Sequence, residues 1–134
     1  MLLVVGLSGC FEEEIKTTNM SVEEIKNRAV NVSYDDLMRY NEEYVGKIVY
    51  FRGGVVQVIE VHGNEYDLRV ATSGSYYVSY YEDIIWVNYE GSRILEDDIV
   101  DVWGYVKGLK AYTTVLGAKV TIPELDCFHL ELIE

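Results

Sequence analysis

The run from Lys47 to Ile59 is the segment that most limits what this chain can fold into. It is rich in Val, Ile, Tyr and Phe and is interrupted only by Gly53-Gly54. β-Branched and aromatic residues suit a pleated, half-buried surface, so the run predicts a long strand. A glycine pair inside such a run marks a bulge or a sharp bend. A long strand bent there pairs with one neighbour before the glycines and with a different one after them.

Shorter strand signals follow at close intervals. His62-Gly63-Asn64 is a turn signal, Glu65 to Ala71 alternates at Tyr66, Leu68 and Val70, and Thr72-Ser73-Gly74-Ser75 ends that strand. Ile84 to Tyr89 is a third strand, closed by Glu90-Gly91-Ser92. After the acidic turn Leu95-Glu96-Asp97-Asp98 comes a fourth, Ile99 to Leu109, in which Val100, Val102 and Gly104 alternate with Asp101, Trp103 and Tyr105. Lys119 to Ile122 and Phe128 to Ile133 supply the remaining strand material, with Pro123 setting a break between them.

Upstream, Ser21 and Ser33 each stand three residues before a carboxylate, the arrangement that caps a helix N-terminus. Two short helices are predicted, about Val22 to Val30 and Tyr34 to Tyr44, the second stopping before Gly46. The strands are too closely spaced for parallel crossovers through helices, which leaves an antiparallel barrel or sandwich. A first strand shared between two sheets selects a mainly β fold, a five-stranded Greek-key OB-fold barrel preceded by one or two short N-terminal helices.

Several segments carry a family resemblance. They are Tyr44 to Gly53 at the start of the first strand, Val55-Val56-Gln57-Val58-Ile59, Arg93 to Gly104, and Gly117 to Pro123. Through them the chain from Ser33 onwards resembles the OB-fold domain, similar to the tRNA-anticodon-binding domain, of small membrane-anchored lipoproteins of unassigned function. The resemblance implies an OB barrel on a lipid anchor. It does not imply tRNA binding, because one fold hosts many functions.

Met1 to Gly9 carries no charged side chain and is too short to span a bilayer, which takes about 20 apolar residues. Its length suits the apolar region of a signal peptide, although no Lys or Arg precedes it. Leu7-Ser8-Gly9-Cys10 resembles a lipobox, in which an apolar and two small residues lead to the cysteine that receives lipid. The competing reading is an apolar N-terminal strand or turn with a buried cysteine. The expected organisation is a lipoprotein-type signal peptide over residues 1–9, then lipidated Cys10 with an acidic tether and short helix over 10–32, then the OB-fold domain over 33–134. Attachment through Cys10 places the domain on the extracytoplasmic face of a cell membrane, and stable anchoring needs two acyl chains rather than one.

The charge bears on partners. Asp and Glu number 23 against 11 Lys and Arg, a net charge of −12, whereas nucleic-acid binding rests on cations neutralising phosphates. Tyr76, Tyr77, Tyr80 and Tyr81 form the densest aromatic segment, able to stack on a ligand or to pack across the sheet as strand formers. With Glu82 and Asp83 beside them, a neutral glycan or a protein fits better than nucleic acid. Lys107, Lys110 and Lys119 near Tyr105 and Tyr112 form a basic and aromatic cluster, either an anion site or an edge-strand defence against aggregation.

Other candidates favour structural roles. Glu96, Asp97, Asp98 and Asp101 offer oxygen ligands for a hard cation, but the calcium-loop pattern is missing and a solvated turn is the better reading. Cys127 and His129 share a face on a regular strand and so resemble a nucleophile and base, yet no oxyanion glycine element accompanies them. A buried structural thiol is preferred. No catalytic residue, metal or cofactor is expected. The expected function is a non-enzymatic, lipid-anchored binding module engaging a protein or cell-envelope ligand. The alternative is a cytoplasmic OB-fold protein binding single-stranded nucleic acid through the three lysines and the tyrosines.

Overall fold

β1 (Ile48–His62) bends at its glycine pair and serves two neighbours, as its sequence predicts. In the computed structural model, which describes residues 20–75 and 80–133, Ile48 to Gly54 pairs antiparallel with β4 (Ile99–Thr113). Gly54 to His62 pairs antiparallel with β2 (Glu65–Ser75), and Gly54 lies opposite both Ala71 and Ile99. The extra residue of the bulge is Val56, just beyond the glycines, which themselves form the bend. The acidic turn seals this corner: Val55 N–H donates to the Asp98 carbonyl at 2.8 Å and Asp97 N–H to the Val55 carbonyl at 2.8 Å.

β3 (Tyr80–Glu90) pairs with β2, and β5 (Lys119–Ile133) pairs with β4. The barrel closes in the order β1-β2-β3-β5-β4. Closure uses a short parallel contact, Trp86 to Asn88 of β3 against Glu124 to Asp126 of β5, in an otherwise antiparallel sheet. This is the five-stranded OB-type barrel that the bent first strand called for. Alternate residues of every strand fill it: Val49, Leu68, Val70, Ile85, Val102 and Leu125 are fully buried, each stabilising the fold by roughly 1.5–3 kcal/mol.

Three helices precede the barrel among the described residues, α1 (Val22–Arg28), α2 (Tyr34–Arg39) and α3 (Asn41–Tyr44). Both serine caps form, Ser21 Oγ accepting from Glu24 N–H and Ser33 Oγ from Asp36 N–H, each at 3.1 Å. The second predicted helix is divided at Tyr40, whose backbone leaves helical geometry at φ −114°, ψ 36°. Buried Asn41 stands just past this break, its Nδ2 donating to the Leu37 carbonyl at 3.2 Å and to the Gly108 carbonyl of β4 at 3.4 Å. A tertiary contact therefore accompanies the break that local propensity missed. α1 packs outside the barrel through Ile25 against Ile48 and Trp103, and Lys26 reaches Glu131 at 2.7 Å.

Three further differences arise in the strands. β2 continues through Thr72-Ser73-Gly74-Ser75 until Ser75 pairs with Tyr80, held by Thr72 Oγ1 donating to the Asp83 carbonyl at 2.8 Å and by Ser73 Oγ to Asp83 Oδ2 at 3.0 Å. β5 runs unbroken through Pro123, which pairs with Leu109. The β3 contact begins only at Glu124, so Pro123 occupies a stretch where β5 has a partner on one edge, as proline tolerates. Finally, His129 opposes Trp103 while Cys127 opposes Gly104, which makes Phe128 an extra, bulged residue. Cys127 consequently packs on the barrel core whereas His129 stacks outside on Trp103 at 5.4 Å, so the two do not share a face.

β2 and β4 both run antiparallel to β1, and the β2–β3 and β4–β5 hairpins leave the barrel at the same end. Burial first, and then the charges of Asp83 and Tyr112, push the Tyr34 hydroxyl up to about 12. The first residue of α2 thus lies within electrostatic reach of both hairpins.

Candidate functional site

The outer surface of β2, β3 and β5 is built by simple alternation. Leu68, Val70, Ile85, Val87 and Leu125 face the core, so Asp67, Arg69, Trp86, Asn88, Glu124 and Asp126 face out. Register then aligns them: Arg69 opposes Trp86 and Asp67 opposes Asn88, while Trp86 opposes Glu124 and Asn88 opposes Asp126. β4 joins this surface through a second bulge. Val106 opposes Leu125 and Gly108 opposes Glu124, which leaves Lys107 as the extra residue. Even-numbered positions of β4 point inward before the bulge and outward after it, and that switch brings Lys110 and Tyr112 to the outer face.

At the hairpin end of this surface the side chains form a cationic and aromatic stack. The Trp86 and Tyr112 rings are 5.5 Å apart, Lys110 Nζ lies 4.8 Å from the Trp86 centroid, and the Arg69 guanidinium is 5.4 Å from the Tyr112 centroid. Each such cation contact contributes about 0.5–1 kcal/mol. Arg69 Nη1 donates to Gln57 Oε1 at 3.0 Å; its Nε is buried with no hydrogen-bond partner among the described residues. Trp86 is only 7% exposed, so its ring is covered rather than presented.

Towards the other end the surface becomes acidic. Trp86 Nε1 donates to Asn88 Oδ1 at 3.2 Å, and Asn88 Nδ2 donates to Glu124 Oε2 and Asp126 Oδ1, both at 2.9 Å. Beside this network lies an open cleft of 440 Å³ whose charged lining is Glu65, Asp67, Glu90, Glu124, Asp126 and Lys107. Lys107 Nζ is 3.9 Å from Asp126. Burial raises the pKa of Asp67, Lys110 pulls it back, and Glu124 and Glu65 add to the rise. A cationic group entering the cleft would relieve that repulsion, and an anionic one would add to it.

The basic and aromatic residues expected to cluster are not gathered into one site. Lys107 belongs to the acidic cleft, and Lys110 and Tyr112 lie on Trp86. Lys119 pairs with Thr113 near the end of the β4–β5 hairpin. Tyr105 stacks on Phe128 at 5.8 Å and lines a separate notch of 260 Å³ with Arg28 and Lys47. Distance along β4 explains the separation: Tyr105 and Tyr112 both face outward, on either side of the Lys107 bulge, about 23 Å apart by strand rise. Tyr76 and Tyr77 lie outside the described residues, as does Cys10, while the backbones of Tyr80 and Tyr81 open β3.

The acidic turn serves the fold. Asp98 Oδ2 accepts from Leu95 N–H at 2.8 Å, and Asp101 is paired with Arg52. Among the described residues no three His, Cys, Asp or Glu side chains are placed to hold a metal ion. Arg69, Trp86, Asn88 and Glu124 were not singled out in the sequence, although a tryptophan between inward Ile85 and Val87 signals an outward aromatic.

Burial pushes the Cys127 thiol up to about 12, which keeps it protonated and unreactive at neutral pH. In a Cys10→Ala background, iodoacetamide at mildly alkaline pH should alkylate native Cys127 about a hundredfold more slowly than the urea-unfolded chain. Equal rates would show that the thiol is accessible and active.

No protein-family model matches the chain, and no curated protein matches it in sequence. Among solved structures it is similar to a protein of Leishmania major Friedlin described as an aspartyl-tRNA synthetase. Identity is 16% and the TM-score 0.48, over 78% of this chain and 20% of that one.

Proposed function

We propose that the chain is a lipid-anchored, extracytoplasmic OB-fold binding module that engages a protein or cell-envelope ligand through the outer face of its barrel. The observation that carries the binding reading is the cleft in which Glu65, Asp67, Glu90, Glu124 and Asp126 face one lysine, Lys107. Such a surface repels phosphates and favours a cationic group, for example a lysine or arginine side chain of a partner. The anchor reading rests on Leu7-Ser8-Gly9-Cys10 and on the acidic stretch Glu12-Glu13-Glu14 after it. No helix among the described residues is long and apolar enough to cross a membrane. Cytoplasmic single-stranded nucleic-acid binding is favoured by the stack of Arg69, Lys110, Trp86 and Tyr112, but the covered tryptophan and the neighbouring carboxylates weigh against it.

Cell fractionation with metabolic lipid labelling tests the anchor. The wild-type chain should be labelled, sediment with membranes and be open to external protease, whereas Cys10→Ala should lose the label and leave the membrane fraction. An unlabelled, cytosolic wild-type chain would defeat the proposal. Binding of a short oligolysine peptide should weaken about tenfold in Asp67→Asn/Glu124→Gln. Salt-dependent binding of an oligonucleotide, lost on reversing the charge of Arg69 and Lys110, would instead support the second reading.

A further inference from the structure

The longest stretch of the chain without an acidic residue lies between Asp101 and Glu124, and it carries Lys107, Lys110 and Lys119. In a chain of net charge −12 this run makes up the whole projecting part of the β4–β5 hairpin. At its tip Val115 and Leu116 are 102% and 93% exposed. The turn that presents them is well held: Thr114 N–H donates to the Ala118 carbonyl at 2.8 Å, Gly117 N–H to the Thr114 carbonyl at 2.9 Å, and Ala118 N–H to Thr114 Oγ1 at 3.1 Å. Gly117 supplies the required φ of +92°. Two adjacent apolar side chains are therefore held away from the barrel, where the fold gains nothing from their burial.

We propose that this hairpin tip docks on an anionic membrane surface, with Val115 and Leu116 entering the interfacial layer and Lys119 facing the headgroups. An apolar tip enters about 5–10 Å into the headgroup and acyl boundary. By strand rise Lys119 stands about 10 Å from Leu116, so it reaches the headgroups, whereas Lys110, about 17 Å from Val115, stays over Trp86. Lys107 is more than about 25 Å away and occupied with Asp126. The acidic residues that flank the hairpin's own strands do not cancel this attraction. Glu124, paired with Gly108, is about 25 Å below the tip. This distance exceeds the Debye length of about 8 Å at physiological salt. The contact is independent of lipid at Cys10 and would add a second, reversible point of membrane attachment.

The test uses the full chain with Cys10→Ala, which removes the anchor, and Leu116→Cys carrying an environment-sensitive dye. The protonated Cys127 thiol leaves residue 116 as the labelling position. Vesicles of phosphatidylcholine with about 30% phosphatidylglycerol should brighten and blue-shift the dye, and Lys119→Gln should weaken this partitioning about fivefold. Val115→Asp in the same labelled chain should abolish the shift. An unchanged spectrum, or an equal response to phosphatidylcholine alone, would overturn the proposal. So would a blue shift that depends on protein concentration without lipid, since it would mark the tip as a contact between copies of the chain.

Discussion

Gly53→Ala should destabilise the domain strongly. A Cβ at this position would meet Val70 Cγ1 at 2.8 Å and the Ala71 carbonyl carbon at 2.9 Å, and would press still harder on the Ala71 oxygen. Ala71 is backbone of β2 directly opposite the bend, so nothing there can rotate out of the way. The conflict sits at the one place where β1 changes partners. Relieving it would separate β1 from β2 or from β4. Overpacking of a rigid site costs about 3 kcal/mol or more, a large part of the 5–15 kcal/mol that stabilises an ordinary domain. Thermal unfolding should therefore move down by roughly 10 °C or more. Gly63→Ala is the matched control: its φ is +60° but a Cβ there would meet nothing within 4 Å, so the cost is only about 1 kcal/mol of backbone strain. Equal melting shifts for the two variants would show that β1 and β2 do not approach closely at Gly53.

Asp101→Asn should remove an acid-sensitive part of the stability. Asp101 is 6% exposed and lies opposite Arg52 across the β1–β4 ladder. Its carboxylate accepts from Arg52 Nε at 2.7 Å, Arg52 Nη2 at 2.9 Å and the Tyr50 hydroxyl at 2.7 Å. Hydrogen bonding from Arg52 lowers its pKa against the opposing effect of burial, helped by the Tyr50 hydrogen bond and by the charges of Arg52 and Lys26. The folded value is thus below the unfolded value of about 3.9. Stability from this group is present above the unfolded value and is lost as pH falls through the folded one.

Hydrogen bonds to a buried charge contribute about 1.5–3 kcal/mol. The Arg52 side chain is 54% exposed and so well screened, which places the expected loss at the lower end, about 1.5 kcal/mol. Urea midpoints at neutral pH should differ between wild type and variant by this amount, and the difference should shrink as the pH falls through the lowered value of the folded state. A gap that persists unchanged in acid would mean that the carboxylate charge is not what matters.

The elements that could be anticipated from the sequence are those whose causes are local. Ser21 and Ser33 cap helices because a hydroxyl three residues before a free N–H needs nothing else. Val100 and Val102 point into the barrel because strand side chains alternate, and Gly53-Gly54 permits the bend because a side chain is missing there. The outer face resisted anticipation for a different reason. Lys107 and Phe128 are extra residues in their ladders, and nothing in either strand alone shows that its partner is one residue shorter. Each bulge reverses the inward and outward sense of everything beyond it. The first puts Lys110 and Tyr112 on Trp86; the second parts Cys127 from His129.

By itself, then, the amino-acid order determined a five-stranded barrel with a shared, bent first strand and an acidic surface overall, because periodicity, capping and glycine placement act over a few residues. Only the tertiary structure decided which side chains meet on the outer surface. That surface depends on registers between strands distant in sequence, above all the parallel contact of Trp86 to Asn88 with Glu124 to Asp126. The same registers carry the acid-free hairpin out past the acidic barrel, which turns a difference in local charge into a separation in space.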